Sequence, residues 1–407
     1  MYNNLELGNF VKNKAIIRRD GFGDKIDRHY FCINTKGEVL FDLAPDMYCF
    51  AYENEDVAMV SSHNHSKEAL MDNEGKFLTE FIYDDIYSGM EEGFFEVKKN
   101  NKHGHINIQG EEIIPCIYDD GQYFSEGIAP ESLNGKWGCI DYKNQTVLPF
   151  EYEQLSICCN NTIVAQYNGK VGIIDKFNNK LVDFKYDKID NYTTRDCSTY
   201  VAKRGDKYGL IDKNGGIIEP FIYDFAENIS DEDNIKGEFA CLRKDKKCAI
   251  YSTKDNKFLT DFKYYYIEWA TDNYFEVNQN NKCGLVDSKG IEVIPPMYKH
   301  VHVNYDGTLA IYQDKQHGIF DYLGKEIIPI GKYKFMGDEF SEGLLWVSED
   351  KNDTGMFINK SGKVVLKLDK NIKAHRFKFS CGLAPVWHKK FGDCYLDKTG
   401  NIVEVQI

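Results

Sequence analysis

The sequence predicts an all-β repeat protein. Three observations predict it: a recurring turn, a short apolar run on each side of that turn, and an aromatic at a fixed distance beyond it. The turn begins eleven times, at Asn34, Asp72, Asn107, Asp141, Asp175, Asp212, Ser252, Asp287, Asp321, Asn359 and Asp397. Three residues later stand Gly37, Gly75, Gly110, Asn144, Asn178, Gly215, Asp255, Gly290, Gly324, Gly362 and Gly400. Successive turns lie 34 to 40 residues apart, the span of one supersecondary unit.

The turn explains its own residues. Asp or Asn at the first position bonds the amides that follow it, and Gly or Asn at the fourth accepts positive φ at little cost. A type I turn followed by a left-handed residue closes a short hairpin. Each Asp-x-x-Gly therefore joins two antiparallel strands. Ser252 with Asp255 is the weakest instance and should form the least regular turn.

The strands follow from the flanks. Before the turn run Lys136 to Asp141 (Lys-Trp-Gly-Cys-Ile-Asp), Lys170 to Asp175, Lys207 to Asp212 and Lys282 to Asp287, short apolar segments bounded by turn residues. After it comes a second strand, often a proline, then a tyrosine, as in Ile114-Pro115 with Tyr118 and Ile294-Pro295 with Tyr298. The interval from turn to tyrosine is 11 residues for Tyr83, Tyr118, Tyr152, Tyr186, Tyr223 and Tyr298. A third strand precedes the unit, as at Gly127 to Ala129 and Tyr200 to Ala202. The expected unit is a three-stranded antiparallel meander, with a linker of roughly nine residues after the tyrosine. Glycines inside strands (Gly104, Gly138, Gly172, Gly209, Gly284, Gly318) mark close approach by another group, and the repeat tyrosine, or that of a neighbouring repeat, is expected over each of them.

The motifs Phe124-Ser125-Glu126-Gly127-Ile128-Ala129, Asn134 to Asp141 with Trp137, and Val147-Leu148-Pro149 with Tyr152 resemble the bacterial WG (or KWG) repeat family. The likeness is strongest from about Met90 to Tyr298. Trp137 alone keeps the tryptophan; His103, Val171, Tyr208, Cys248, Cys283 and His317 stand in its place. The family is defined by its repeat, so the resemblance implies a β-repeat scaffold and carries over no catalytic residue.

Eleven units fill the chain of 407 residues. The expected organisation is an N-terminal cap over 1–25, then a WG-type array over 26–407, with the degenerate seventh unit offering a break near 245–270. Two closures compete. One is an open, curved superhelix of stacked units, which need only their neighbours. The alternative is one or two β-propeller-like rings, which require a fourth strand that the linker after the tyrosine would supply. The open array is the reading preferred from sequence.

Composition narrows function. Net charge of −14 opposes general nucleic-acid binding, which needs a basic footprint. One segment reverses the sign: Lys363, Lys367, Lys370, Lys373, Arg376, Lys378, Lys389 and Lys390 stand against a single acid, Asp369. It is the one place where an acidic partner or nucleic acid would dock, with a solvated face as the plainer account. No run of eighteen apolar residues suggests a membrane helix. No leader is evident, so the twelve cysteines are expected to be reduced core fillers in a cytoplasmic protein.

Candidate chemistry is sparse. The turn aspartates at Asp141, Asp175, Asp212, Asp287, Asp321 and Asp397 look like an array of acids, but turn geometry accounts for their spacing. His63/His65, His103/His105 and His300/His302 place two imidazoles on one strand face, a usable metal geometry. No fixed third ligand accompanies any pair, and packing histidines are the expectation. No catalytic, cofactor or metal residue is assigned. The function expected is a non-catalytic cytoplasmic scaffold for an unknown protein partner. The alternatives are a hydrolase or metal-dependent enzyme with a site on the concave face or ring centre, and a charge-based nucleic-acid mimic or binder.

Overall fold

The computed structural model describes residues 5–8, 13–20, 28–44, 47–49, 57–62, 66–87, 92–190, 198–229, 238–271, 274–349, 355–374 and 378–406. Their strands form eleven antiparallel sheets, ten of four strands and one of three. No helix among them is long and apolar enough to cross a membrane. The chain divides into two compact units, Met1–Ile86 with His302–Ile407, and Tyr87–Val301.

The turns set the frame. In ten of the eleven, the amide of the fourth residue donates to the first residue's carbonyl at 2.8–3.2 Å, as in Gly215 to Asp212 and Asn144 to Asp141. The fourth residue is left-handed, with φ of 83° at Gly215 and 59° at Asn144. One side-chain oxygen also accepts two amides: Asp287 Oδ1 takes those of Lys289 at 2.9 Å and Ile291 at 2.8 Å. As expected, the Ser252 turn departs. There the Asp255 amide donates to the Ser252 hydroxyl at 3.1 Å, and positive φ falls on Asn256.

The larger unit described by Tyr87–Val301 shows the repeat most plainly. Asp120–Gly121, Ile128–Leu133, Lys136–Asp141 and Thr146–Tyr152 form one sheet in chain order. Gln154–Leu155, Ile163–Tyr167, Lys170–Ile174 and Lys180–Tyr186 form the next. The unit thus has four strands, not the three expected. The added strand comes from the residues just after each tyrosine, which hydrogen-bond to the following hairpin: Asp120 pairs with Ser132 and Gly121 with Glu131. A two-residue strand carries no legible alternation, which hid it in the sequence.

A second correction concerns the strand glycines. The tyrosine lies beside them, opposite the tryptophan position: Trp137 pairs with Tyr152, Val171 with Tyr186, and Tyr208 with Tyr223. What covers the glycine is a bulge. Between the pairs Tyr208–Tyr223 and Leu210–Glu219 the returning strand carries extra residues, among them Pro220, which needs no ladder amide there. A Cβ on Gly209 would meet the Glu219 carbonyl oxygen at 2.8 Å and the Phe221 ring at 3.1 Å.

Between units the ties repeat. In several repeats the lysine opening the central strand pairs with the aspartate after the tyrosine, at 2.5 Å for Lys102–Asp119, 2.6 Å for Lys170–Asp187 and 2.7 Å for Lys207–Asp224. Lys67 and Asp84 do the same. The Tyr118 hydroxyl donates to Asn144 and that of Tyr152 to Asn178, both at 2.5 Å, so a tyrosine is pinned to the next unit's turn.

In the other unit, the first and last sheets meet. Leu7, Ala15, Ile17, Phe31 and Ile33 share one core with Leu383 and Tyr395. The Tyr395 hydroxyl donates to the Gly8 carbonyl at 2.8 Å, and Glu38 bridges Gln406 in parallel. An open stack would hold these end sheets apart. The all-β repeat array stands, and the propeller-like alternative is the one that matches: it needs the fourth strand and joined ends. Residues 1–25, expected as a cap, include Leu5–Leu7 and Lys14–Asp20, the first two strands of the first sheet. Of the eleven cysteines among the described residues, ten are not in a disulfide; Cys159, expected to be reduced, is disulfide-bonded.

Substitutions at two positions test this frame. Gly209→Val should lower stability by about 1–3 kcal/mol through overpacking against the bulge, read as a lower urea midpoint. Asp287→Ala should cost about 1–2 kcal/mol by leaving two turn amides without their acceptor, whereas Asp287→Asn, which keeps the Oδ1 acceptor, should melt close to the parent.

Candidate functional site

The structure separates the histidine candidates. His63 and His65 lie outside the described residues. His300 and His302 are exposed on the strand His300–Val303. His103 and His105 lie side by side on one face of Lys102–Asn107, and both are buried. This last pair is the centre of an ionisable cluster in the Tyr87–Val301 unit.

His103 stands at the tryptophan position. Its Nδ1 donates to Glu96 Oε1 at 2.6 Å, and its Nε2 faces Asp120 Oδ1 at 4.0 Å. Tyr87 stacks on the imidazole, with ring centroids 5.7 Å apart. Glu96 comes from the neighbouring strand Phe94–Lys99 and Asp120 from the two-residue strand of the next sheet. Burial raises the Glu96 carboxyl above its ordinary value, with His103 pulling the other way.

His105 lies deeper. Its Nε2 is 2.6 Å from Glu131 Oε1, and both side chains are fully buried. Burial, then the charge of His103, holds His105 down to about 3. Burial, then the charges of Glu96 and Asp120, pushes Glu131 well above the carboxylate range. Burial thus disfavours the charged form of each, pushing the pair toward a neutral acid against a neutral base. Among the described residues Glu131 Oε2 and His105 Nδ1 have no hydrogen-bond partner, a costly state for buried polar atoms.

The repeat gives this pair its meaning. Glu131 stands opposite Gly138 in its hairpin. The residues at that place in the other regular sheets are Val97, Ala165, Ala202, Val277 and Ile311. In the sheets without the glycine they are Ile17, Val60, Leu242, Val347 and Val386. All ten are apolar and buried. The partner across the interface is apolar too: Cys139 meets Ala165, Leu210 meets Leu242, and Ile250 meets Val277 in shared cores. His105 and Glu131 replace one such apolar contact with an acid and a base. Sequence reading missed Glu131 because its oddity appears only once the repeats are set in register.

The other candidates disperse. Each turn aspartate is engaged by its own turn; Asp141 Oδ1 accepts the amides of Lys143 and Gln145, and Asp212 Oδ1 those of Asn214 and Gly216. Of the basic segment, Lys363, Lys367, Lys370, Lys373, Lys378, Lys389 and Lys390 are exposed, and Arg376 lies outside the described residues. Lys378 pairs with Glu339, and Lys373 and Lys390 lie over the rings of Trp387 and Phe391. A cavity of about 350 Å³ beside Ser156, Gln166, Lys188 and Asp190 holds no nucleophile paired with a base.

Replacing both members of the buried pair should stabilise the protein. His105→Leu/Glu131→Leu, which copies Leu210 and Leu242, is expected to gain about 1–4 kcal/mol at neutral pH, while either single change lowers stability. The pH dependence carries a signature. The Glu131 contribution is present below 4.5 and lost as pH rises toward its raised value. That of His105 is present above 6.5 and lost as pH falls toward about 3. The advantage of the double variant should thus be smallest between about pH 4.5 and 6.5, where the two trends oppose, and widen on either side. Urea melts across pH 4–8 check it.

Comparison with known proteins agrees with this frame. The family described as WG containing repeat matches residues 70–102, 104–137, 137–170, 172–207, 208–248 and 318–352. No curated protein matches the sequence. Among solved structures, a eukaryotic initiation factor is 13% identical over 82% of this chain and 92% of its own, with a TM-score of 0.41. AztD from Citrobacter koseri is 12% identical over 71% of this chain and 92% of its own, with a TM-score of 0.33. Hsv2p of Kluyveromyces lactis is 11% identical over 58% and 92%, with a TM-score of 0.32. The repeat matches span just over half of the residues, and the chain belongs to the WG-containing repeat family.

Proposed function

We propose that this chain is a non-catalytic repeat scaffold that binds a protein partner. The observation that supports the reading is the contrast between frame and surface. The tyrosines Tyr118, Tyr152, Tyr186 and Tyr223 are buried in equivalent places. The residue just before each, and before Tyr298, is exposed and changes freely: Ile117, Glu151, Lys185, Ile222 and Met297. A fixed frame with variable outward positions is how repeat proteins build recognition surfaces. The turn aspartates support it as well, because their oxygens are engaged by backbone amides and do not converge on a cleft.

The test is affinity capture with the full chain as bait, parent against Ile222→Lys and Met297→Lys. The expected result is a discrete partner retained by the parent and lost or weakened in one of the variants, with melting unchanged. A bait that retains nothing above a blank resin, or a chain that turns over simple ester or phosphoester substrates, would overturn the proposal.

A further inference from the structure

The cluster around His103 has the makings of a site that the frame does not require. Donor atoms of Glu96, His103 and Asp120 lie within 4.8 Å of one another. We propose that these three residues form a binding site for one divalent transition-metal ion of the zinc or manganese type.

The geometry assigns the roles. Glu96 accepts the Nδ1 hydrogen of His103 at 2.6 Å, the usual way a carboxylate orients a metal-ligating imidazole and leaves its Nε2 lone pair free. That nitrogen faces Asp120 Oδ1 across 4.0 Å. Two bonds of about 2.0–2.2 Å each would span such a gap. Asp120 is 60% exposed, so the ion has a path in and room for water ligands. A nitrogen with carboxylate oxygens suits zinc or manganese better than a soft ion.

A second observation points the same way. Glu131 is fully buried and its Oε2 has no hydrogen-bond partner among the described residues. That oxygen lies against the strand that carries Asp120: a Cβ on Gly121 would come within 2.8 Å of it. Two carboxyl groups thus flank His103, and a third, Glu131, is buried against His105 beside the strand that carries Asp120. A cation held between His103 and Asp120 would lie beside this unpartnered oxygen. The buried acid and His105 also break an apolar rule kept by the ten other sheets, so packing does not explain them.

The experiment titrates ZnCl2 and MnCl2 into the full chain after treatment with chelator and desalting, by calorimetry with elemental analysis. The expected result is one ion per parent chain. Asp120→Asn, a change at an exposed residue, should weaken binding by about tenfold or more. His103→Trp, which restores the repeat's own residue, should abolish it. His300→Ala/His302→Ala should bind as the parent does. No uptake by the parent, equal affinity in Asp120→Asn, or loss of uptake in the His300/His302 variant would overturn the site. Should His103→Trp fail to fold, Asp120→Asn decides the question.

Discussion

One short-range interaction holds this architecture in register: a side-chain oxygen at the head of ten of the eleven turns accepting two backbone amides. Asp397 does it for Thr399 and Asn401, and Asn34 does it for Lys36 and Glu38 at the other end of the chain. The carboxamide or carboxylate fixes where the hairpin reverses. Reversal fixes which residue faces the strand glycine, and the glycine admits the bulge. The bulge then sets the tyrosine opposite the tryptophan position. A slip of one residue would turn every apolar side chain to the wrong face. The most conspicuous acids in the sequence are thereby spent on geometry.

Above that local rule, the sheets adhere through a small set of contacts. Apolar pairs such as Leu210 with Leu242 fill shared cores between sheets, and in four places a lysine–aspartate pair closes the rim. These rim pairs are solvent-exposed, so they give direction more than energy. Stability rests on the apolar pairs. Against that background the His105–Glu131 pair stands out, since two ionisable groups occupy a place that is apolar in the shared cores of Cys139 with Ala165, Leu210 with Leu242 and Ile250 with Val277.

How much of this could be read in the sequence depended on whether a feature repeats. Asp141, Gly215 and Tyr152 announce themselves by spacing, so the count of eleven units and the antiparallel hairpins followed directly. The strand Asp120–Gly121 did not, because two residues show no alternation and its pairing depends on the next unit. The bulge over Gly209 escaped for a related reason: glycine signals that something is close but not what. Phe221 and the Glu219 carbonyl identify themselves only in three dimensions. The histidine cluster was half visible. His103 and His105 share a face by simple periodicity, whereas Glu96, Asp120 and Glu131 reach them from other strands.

The seam between the first and last sheets has a consequence for how the protein is made. Gly8 and Tyr395 are separated by 387 positions, so Leu7 and Ile17 leave the ribosome long before Leu383 exists to cover them. At ordinary elongation rates that interval is roughly 20 to 80 s. During it the earliest hairpins carry a greasy, uncovered flank, and nascent chains are most exposed to misassociation and most in need of chaperone cover. Completion of synthesis, and not local hairpin formation, is then what seals the molecule.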